Sequence, residues 1–217
     1  KWLEKAEKLW TERRKQKKKF DIYQWIDYNK KLTRQNPKKK YKVVYNETGK
    51  DVVANVIDMK KRKNRVILAK ATIYYETNDK DEAYFLASLL NSPKVNRLIK
   101  PMQAKGLWGE RGIEKKLLEI PFPRFNRKNT SHRRLAQLGL QSSKKAQAEL
   151  DRILLEFKGD IKPQHVGRIR GQLRDILQEE LKEIDKLTEI AIRQEMKSNH
   201  AMDKFLVGSE AKKRLGS

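Results

Sequence analysis

The chain has 217 residues, of which 37% are hydrophobic, enough for one domain of ordinary size with a helical extension. Its 52 basic and 28 acidic residues leave a formal net charge of +24, with a sequence pI of about 10.1. This surplus of positive charge makes a polyanion the expected partner. The alternative, a charged surface stabilised by ion-pair networks, would have nearly equal numbers of basic and acidic residues. The chain has no cysteine, which excludes disulfides and thiolate metal sites.

The start of the chain and the spread of its charge narrow these expectations. Residue 1 is lysine and not methionine, which suggests a piece of a longer polypeptide. No apolar run approaches membrane-spanning length and no signal-peptide core opens the chain, so we expect a cytoplasmic protein without membrane contact. Residues 1–50 hold 17 basic and 6 acidic side chains, whereas residues 151–217 hold 14 and 12. The polyanion-binding surface is therefore expected before about residue 150.

The first forty residues predict two helical stretches and then a basic connector. Apolar residues at helical spacing predict a helix over residues 1–19, and residues 20–32 predict a short second helix or turn packed through its aromatics. The connector covers residues 30–40, where Pro37 stops a helix, and it carries Lys30, Lys31, Arg34, Gln35, Lys38 and Lys39. Arg34 and Gln35 are side-chain types that read guanine and adenine in a major groove, although both types also occur in ordinary loops.

The middle of the chain changes from helical to alternating periodicity. Four short segments rich in β-branched and aromatic residues predict strands at 41–45, 51–57, 65–69 and 71–75. Residues 46–49 and 60–64 are expected to be hairpin connections. The second connection would place four adjacent cations on a loop tip that could enter a groove. A charged turn that protects a sheet edge from aggregation is an equally good interpretation.

Helical patterns return after the strands. Residues 78–81 are expected to cap a helix that ends at Asn91, and Ser92 and Pro93 begin another. Further helices are predicted from about Ser131 to residue 157 and from Pro163 to about residue 199. Their apolar stripes would pack helix on helix, within this chain or in a helix-mediated oligomer. Residues 201–217 are expected to form a flexible tail.

A glycine-bounded loop combines backbone freedom, a stacking surface and positive charge. Gly106 and Gly109 flank Trp108 and permit close approach to another surface. Arg111 supplies a planar fork that can grip a guanine edge or a phosphate bidentately. Lys105, Lys115 and Lys116 add point charges suited to phosphate. The alternative is a surface turn whose tryptophan packs on the domain.

Several blocks of the chain resemble the region that follows the catalytic domain in a group of N6-adenine DNA methyltransferases. The blocks are residues 25–35, 44–50, 83–92 and 106–113, and the likeness covers roughly residues 25–150. This region is similar to TaqI-like specificity domains and, more distantly, to the specificity subunits of type I restriction systems. Leu-Leu-Asn-Ser at 89–92 and Ile-Pro-Phe-Pro at 120–123 are common to the wider set. Gly-Leu-Trp-Gly-Glu-Arg at 106–111 is more particular.

The resemblance implies a recognition domain that binds duplex DNA, while an adenine is flipped into a separate catalytic domain that binds S-adenosylmethionine. The family's Gly-rich methyl-donor loop and its Asn/Asp-Pro-Pro-Tyr/Phe catalytic loop do not occur in this sequence. His132, His165 and His200 form no metal set at recognisable spacing. We therefore expect a non-catalytic chain without its own cofactor, with S-adenosylmethionine held by the catalytic domain of the parent polypeptide.

These observations predict an α+β fold with a small mixed sheet, flanking helices and a C-terminal helical extension. The expected organisation is a DNA target-recognition domain over 1–135, a helical region over 136–200 and the tail. The expected function is duplex-DNA binding in a restriction-modification methyltransferase, with an RNA-binding module or a helical assembly domain as alternatives. The residues predicted to contact DNA are Lys30, Lys31, Arg34, Gln35, Lys38, Lys39, Lys105, Gly106, Trp108, Gly109, Arg111, Lys115 and Lys116.

Overall fold

The computed structural model describes residues 1–13, 20–69, 72–106, 109–111, 113, 117, 119–157 and 159–214, with the backbone alone for 104–106, 109–111 and 198–214. The helices are α1 (Trp2–Arg13), α2 (Ile22–Ile26), α3 (Lys80–Asn91), α4 (Pro93–Ile99), α5 (Thr130–Glu156), α6 (Pro163–Ile176) and α7 (Gln178–Arg214). The strands are β1 (Tyr41–Asn46), β2 (Ala54–Asp58), β3 (Thr72–Thr77), β4 (Ala104–Gly106) and β5 (Gly109–Arg111). The predicted α+β class is confirmed.

The main sheet has three strands in the order β2-β1-β3, and both pairs are antiparallel, where the sequence predicted a mixed sheet. The strand predicted at 65–69 is wrong, because these residues form no strand. The backbone N–H and C=O of Leu68 instead bond to the side-chain amide of Gln35, at 2.8 and 2.7 Å. Residues 60–64 are consequently not a hairpin connection. They belong to the crossing from β2 to β3, which lie on opposite sides of β1.

Helix α3 lies between the sheet and the C-terminal helices. A cap within residues 78–81 is confirmed, and the structure assigns it to Asp79, whose side chain accepts hydrogen bonds from the N–H groups of Asp81 and Glu82. Ala83 and Leu90 share a buried cluster with Val43 of β1. Phe85 and Leu89, from the same helix, share a second cluster with Leu135, Ala136, Leu138 and Ile184. The predicted boundary between 135 and 136 therefore falls inside α5, and residues on both sides of it pack in one cluster.

The single helix predicted from Pro163 to about residue 199 is interrupted at Leu177, whose φ of −94° and ψ of 9° are not helical. The two resulting helices meet different surroundings. Helix α6 buries Ile169, whereas α7 places Ile184 and Ile192 in the two core clusters. Helix α7 continues to Arg214, through most of the predicted tail, since residues 178–207 contain neither glycine nor proline. Within the described residues, no helix is long and apolar enough to cross a bilayer.

Candidate nucleic-acid interface

Gln35 lies inside the protein, which corrects its assignment to base reading. Its side chain is only 4% exposed. Its Oε1 accepts hydrogen bonds from Lys42 Nζ at 3.1 Å and from the N–H of Leu68 at 2.8 Å. Its Nε2 donates to the carbonyls of Lys31 at 3.0 Å and Leu68 at 2.7 Å. All four hydrogen-bonding positions of the amide are occupied within the chain, so none is left for a base edge.

Lys42 anchors this arrangement to the sheet. Its ammonium group is fully buried and lies 3.0 Å from Glu76 Oε1 on the neighbouring strand. The Glu76 carboxylate also accepts from the backbone N–H of Asn36, at 3.0 and 3.1 Å. A buried charge is tolerated when it is paired and hydrogen-bonded, as this one is. The group, called the Lys42 cluster below, consists of Lys42, Gln35, Glu76 and the backbone of Asn36, and it holds the connector against β1 and β3.

The second basic segment, residues 60–65, is attached to the same end of the sheet. The N–H of Met59 donates to the carbonyl of Lys40 at 2.9 Å, and Gln35 holds Leu68 on the far side. Together the two segments form what is called the basic surface below. All its side chains are exposed except that of Lys39, which is half-buried. Its members are Lys30, Lys31, Arg34, Lys38, Lys39, Lys40, Lys60, Lys61, Arg62, Lys63 and Arg65.

The charge of the basic surface is not compensated by carboxylates. Residues 30–40 and 60–65 contain eleven cations and no aspartate or glutamate. Within the described part of the chain, no carboxylate lies within ion-pair distance of these eleven side chains. The later helices differ. There Arg97 pairs with Asp185 at 2.6 Å and Arg134 with Glu183 at 2.6 Å. These eleven cations, which lack ion-pair partners among the described residues, are thus gathered at one end of the sheet.

The connector begins with a tight turn over residues 27–33. Asn29 and Lys30 both have positive φ, 58° and 56°. Asp27 closes the turn, because its carboxylate accepts from the N–H groups of Leu32 at 2.8 Å and Thr33 at 3.2 Å and from the Thr33 hydroxyl at 2.7 Å. The hydroxyl bond from Thr33 is the main reason that the pKa of Asp27 lies below its ordinary value, and the charge of Lys30 acts in the same direction. The turn is therefore fixed from within.

The β4–β5 pair, which contains Gly106 and Gly109, is attached at the other end of β1. Gly106 and Gly109 are opposite each other in the β4–β5 pair. Trp108, Lys115 and Lys116 fall outside the described residues, as do the side chains of Lys105 and Arg111. Flanking residues place the segment: the N–H of Ile113 donates to the carbonyl of Glu47 at 3.1 Å, just beyond β1. Strand β1 starts next to the basic surface, so its six residues separate the two predicted contact regions by about 20 Å.

The Leu-Leu-Asn-Ser block has a structural role here. The Asn91 amide donates to the carbonyl of Ala54 and accepts from its N–H, both at 2.9 Å, and so covers part of the free edge of β2. Ser92 caps α4 and donates to Asp185 of α7 at 2.8 Å. These two residues join the sheet to the C-terminal helices. No sequence pattern within the block itself would have revealed these distant partners.

A cleft of about 510 Å³ lies between β2, α3, α5 and α6. Its lining includes Tyr84, Ser142 and Leu173, together with Asp51 and Asn91. Asp51 is paired with Arg174 at 3.4 Å and with Lys100 at 3.7 Å, and Asn91 is occupied by β2. The described residues contain no group of histidine and carboxylate side chains that could hold a metal ion. Both Asp51 and Asn91 are therefore already engaged within the chain.

No protein-family model matches the chain, and comparison with curated proteins and with solved structures gives no match either.

Proposed function

We propose that the chain binds duplex DNA through the basic surface, as the non-catalytic target-recognition region of an adenine-specific DNA methyltransferase of the restriction-modification type. The observation that carries the proposal is the uncompensated charge: eleven cations on two segments at one end of a sheet, without a paired carboxylate among the described residues. When such a surface neutralises DNA phosphates, the counterions condensed on the DNA are released. This release makes binding strong and dependent on salt concentration.

The scaffold under these cations supports a defined position for the DNA. Both segments are tied to the sheet, one through the Lys42 cluster and the other through the Lys40–Met59 bond. Cations on fixed backbone set the register of a duplex, whereas base contacts supply its sequence preference. Arg34 remains the exposed arginine of the connector that is suited to a base edge, while Lys38 and Lys39 suit phosphates.

The distance between the two contact regions suggests a footprint. The basic surface and the β4–β5 pair are about 20 Å apart. A duplex lying along β1 would span this distance with about six base-pair steps. Gly106, Gly109 and Arg111 would approach it at the second end. The catalytic domain and S-adenosylmethionine belong to the parent polypeptide in this proposal, and the chain described here supplies anchors for the DNA.

The test compares DNA affinity over a range of salt concentrations for three proteins. They are the wild type, a Lys60→Ala, Lys61→Ala, Lys63→Ala variant, and a control in which Lys144, Lys186 and Lys197, exposed on the later helices, become alanine. The basic-surface variant should bind more weakly and lose up to about 2.7 from the slope of log affinity against log salt, at about 0.9 per lost phosphate contact. Equal effects of the two triple variants would contradict the proposal.

The same assay separates the rival class of nucleic acid. Duplex DNA and single-stranded RNA are measured at matched salt, and a random duplex pool is sequenced after selection. Preference for the duplex with enrichment of one short motif is the expected result. Tighter binding of the RNA would favour an RNA-binding module instead.

Helix-mediated self-association is a second candidate function, favoured by apolar side chains at the junction of α5 and α6. Leu154 is 40% exposed, Leu155 88%, Ile161 48% and Val166 46%. Exposed apolar groups of this number mark interaction surfaces. Sedimentation over a concentration series should then show a dimer that Leu155→Lys dissociates, whereas Lys144→Ala leaves it intact. A monomer at every concentration would exclude this function.

A further inference from the structure

The segment before the basic surface exposes a set of aromatic rings. Tyr23 is 48% exposed, Trp25 52% and Tyr28 54%. Two of these rings have an aromatic neighbour: Trp25 lies 4.8 Å from Trp10 between ring centroids, and Tyr28 meets Phe20 edge-on at 5.8 Å. The sequence predicted that these aromatics would pack the second helix. The pairs confirm part of that expectation, but about half of each of the three rings still faces outward.

Local hydrogen bonds fix the backbone of the helix that carries Tyr23 and Trp25. Asp21 accepts from the N–H of Gln24 at 2.7 Å while the Gln24 side chain accepts from the N–H of Asp21 at 3.2 Å, a reciprocal cap at the start of α2. Ile22 is buried beneath the helix. The rings therefore stand on a fixed support, which lowers the entropy cost of binding a ligand against them.

The turn over residues 27–33 carries two cations shortly after these rings in the chain. Two successive non-glycine residues in the left-handed region are strained, and such conformations persist where surrounding contacts impose them, often at binding sites. Asn29 tolerates the conformation because its short amide can hydrogen-bond locally. Lys30 has no such group, so its positive φ must be imposed by its surroundings. Asp27 supplies the imposing contacts. Lys30 and Lys31 lie two and three residues after Tyr28, within this turn, and both are exposed.

We infer that the surface formed by Trp25 and Tyr28, three residues apart in the chain, stacks an unpaired nucleobase of the nucleic acid held by the basic surface. This inference rests on the proposed function. Aromatic rings beside cations that lack carboxylate partners match a nucleotide, whose base stacks while its phosphate meets the charge. A base inside a duplex has both faces covered by its neighbours and cannot use such a surface. The ligand is therefore a single-stranded end, gap or extruded base next to duplex.

The experiment measures binding of two DNAs to the whole chain at matched salt. One is a blunt duplex, and the other is the same duplex with a short single-stranded overhang carrying 2-aminopurine. The overhang should bind at least about fivefold more tightly, and the 2-aminopurine emission should be quenched by stacking. Trp25→Leu and Tyr28→Leu should each reduce both effects while affinity for the blunt duplex stays within about twofold.

Two further variants make the outcome specific to these rings. Trp25→Phe keeps a stacking surface and should retain most of the overhang preference. Trp2→Leu removes a tryptophan that is 76% exposed on α1 and should change neither measurement. Circular dichroism confirms that each variant keeps its fold, and Tyr28, at 54% exposed, can be truncated without opening the core.

The outcomes distinguish this inference from the proposed function. If the wild type showed no salt-sensitive binding of the duplex, the proposed function would be overturned. Duplex binding with equal affinity for the two DNAs would overturn the stacking inference alone, and would leave the rings to a protein partner. An overhang preference that survives Trp25→Leu and Tyr28→Leu would also overturn it, since another surface would then bind the unpaired base.

Discussion

Lys42 is a fully buried cation whose charge is neutralised by contacts from two directions. Glu76 lies 3.0 Å from its Nζ, Gln35 Oε1 3.1 Å, and the Tyr74 ring centroid 5.7 Å. Removing water from an ammonium group costs several kcal/mol, and the pair with Glu76 offsets this cost only while both partners are present. The residue is therefore structural, in a chain whose other lysines mostly face solvent.

The buried pair leads to the first prediction. Glu76→Gln should lower the free energy of unfolding by about 3 kcal/mol, because it leaves the Lys42 charge buried without a counter-charge. Chemical denaturation measures the loss. The double variant Lys42→Met, Glu76→Gln should recover much of it, since the buried charge is then gone. A double variant as unstable as Glu76→Gln alone would show that the pair is not what stabilises this position.

His132 leads to a second prediction, on pH. It is 5% exposed and lies beside the ring of Phe85, with centroids 4.7 Å apart, and its Nδ1 accepts from the N–H of Asn126 at 3.1 Å. Burial lowers the pKa of His132 below its ordinary value. The unfolded chain therefore binds the proton more readily than the folded protein, so stability is full above about pH 6.5 and falls as the pH drops below it.

The check is the denaturation midpoint measured from about pH 8 to about pH 5. One titrating group contributes a slope of at most about 1.4 kcal/mol per pH unit. The variant His132→Gln should show a shallower dependence below about pH 6.5 than the wild type does. The same slope in both proteins would assign the pH effect to other groups.

At the scale of elements, the connector is positioned by contacts with parts of the chain that are distant in sequence. Gln35 joins residues 31–36 to Leu68, and Asn36 joins them to β3. The same contacts explain why residues 65–69 are not a strand: the backbone of Leu68 bonds to a side chain and not to a neighbouring strand. Both segments of the basic surface are thus linked through one buried amide, in addition to their bonds to the sheet.

This link gives a third prediction. Gln35→Leu removes no charge, yet it should weaken binding of all DNA sequences several-fold, because the two basic segments are no longer held in register. The slope of affinity against salt should stay close to that of the wild type, which distinguishes lost positioning from a lost phosphate contact. Anisotropy titrations measure both quantities. Unchanged affinity in a folded variant would show that the segments hold their positions without Gln35.

At the scale of the whole molecule, charge and core are separated. The eleven cations of the basic surface lie at the Tyr41 end of β1 without ion-pair partners in the part of the chain that the structure describes, whereas the later helices carry several ion pairs, such as Arg134–Glu183 and Lys145–Glu180. Helix α3 connects the two parts through both core clusters. One end of the molecule is therefore electrostatically suited to a polyanion while the other is suited to packing.

The separation of the two contact regions gives a fourth prediction. Arg111→Ala, at the end of β5, should weaken binding of the preferred sequence by tenfold or more and change other sequences little. Lys39→Ala, in the basic surface, should weaken all sequences alike. Selection from a random duplex pool, followed by affinities for the enriched and a scrambled site, measures both. Identical, sequence-blind effects would refute this division of roles.

Local signals in the sequence were sufficient for most of the elements. The cap within residues 78–81, the start of α4 at Ser92 and Pro93, and the apolar periodicity of both helices depend on residues within a few positions of one another, and the structure confirms them. Strands β1 and β3 followed from their β-branched and aromatic residues. The charge surplus before residue 150, on which the proposed function rests, is likewise a property of composition.

Only the tertiary structure decided which way polar residues face and which predicted contacts lie together. Glutamine is a residue type common in surface loops, but Gln35 is buried because its side chain bonds to Lys42 and Leu68. Residues 65–69 have strand propensity but no strand to pair with, and a strand needs a partner that propensity cannot supply. The connector and the glycine-bounded loop are separated by the length of β1. Each of these outcomes is set by hydrogen bonds between residues far apart in the chain, for which local sequence carries no signal.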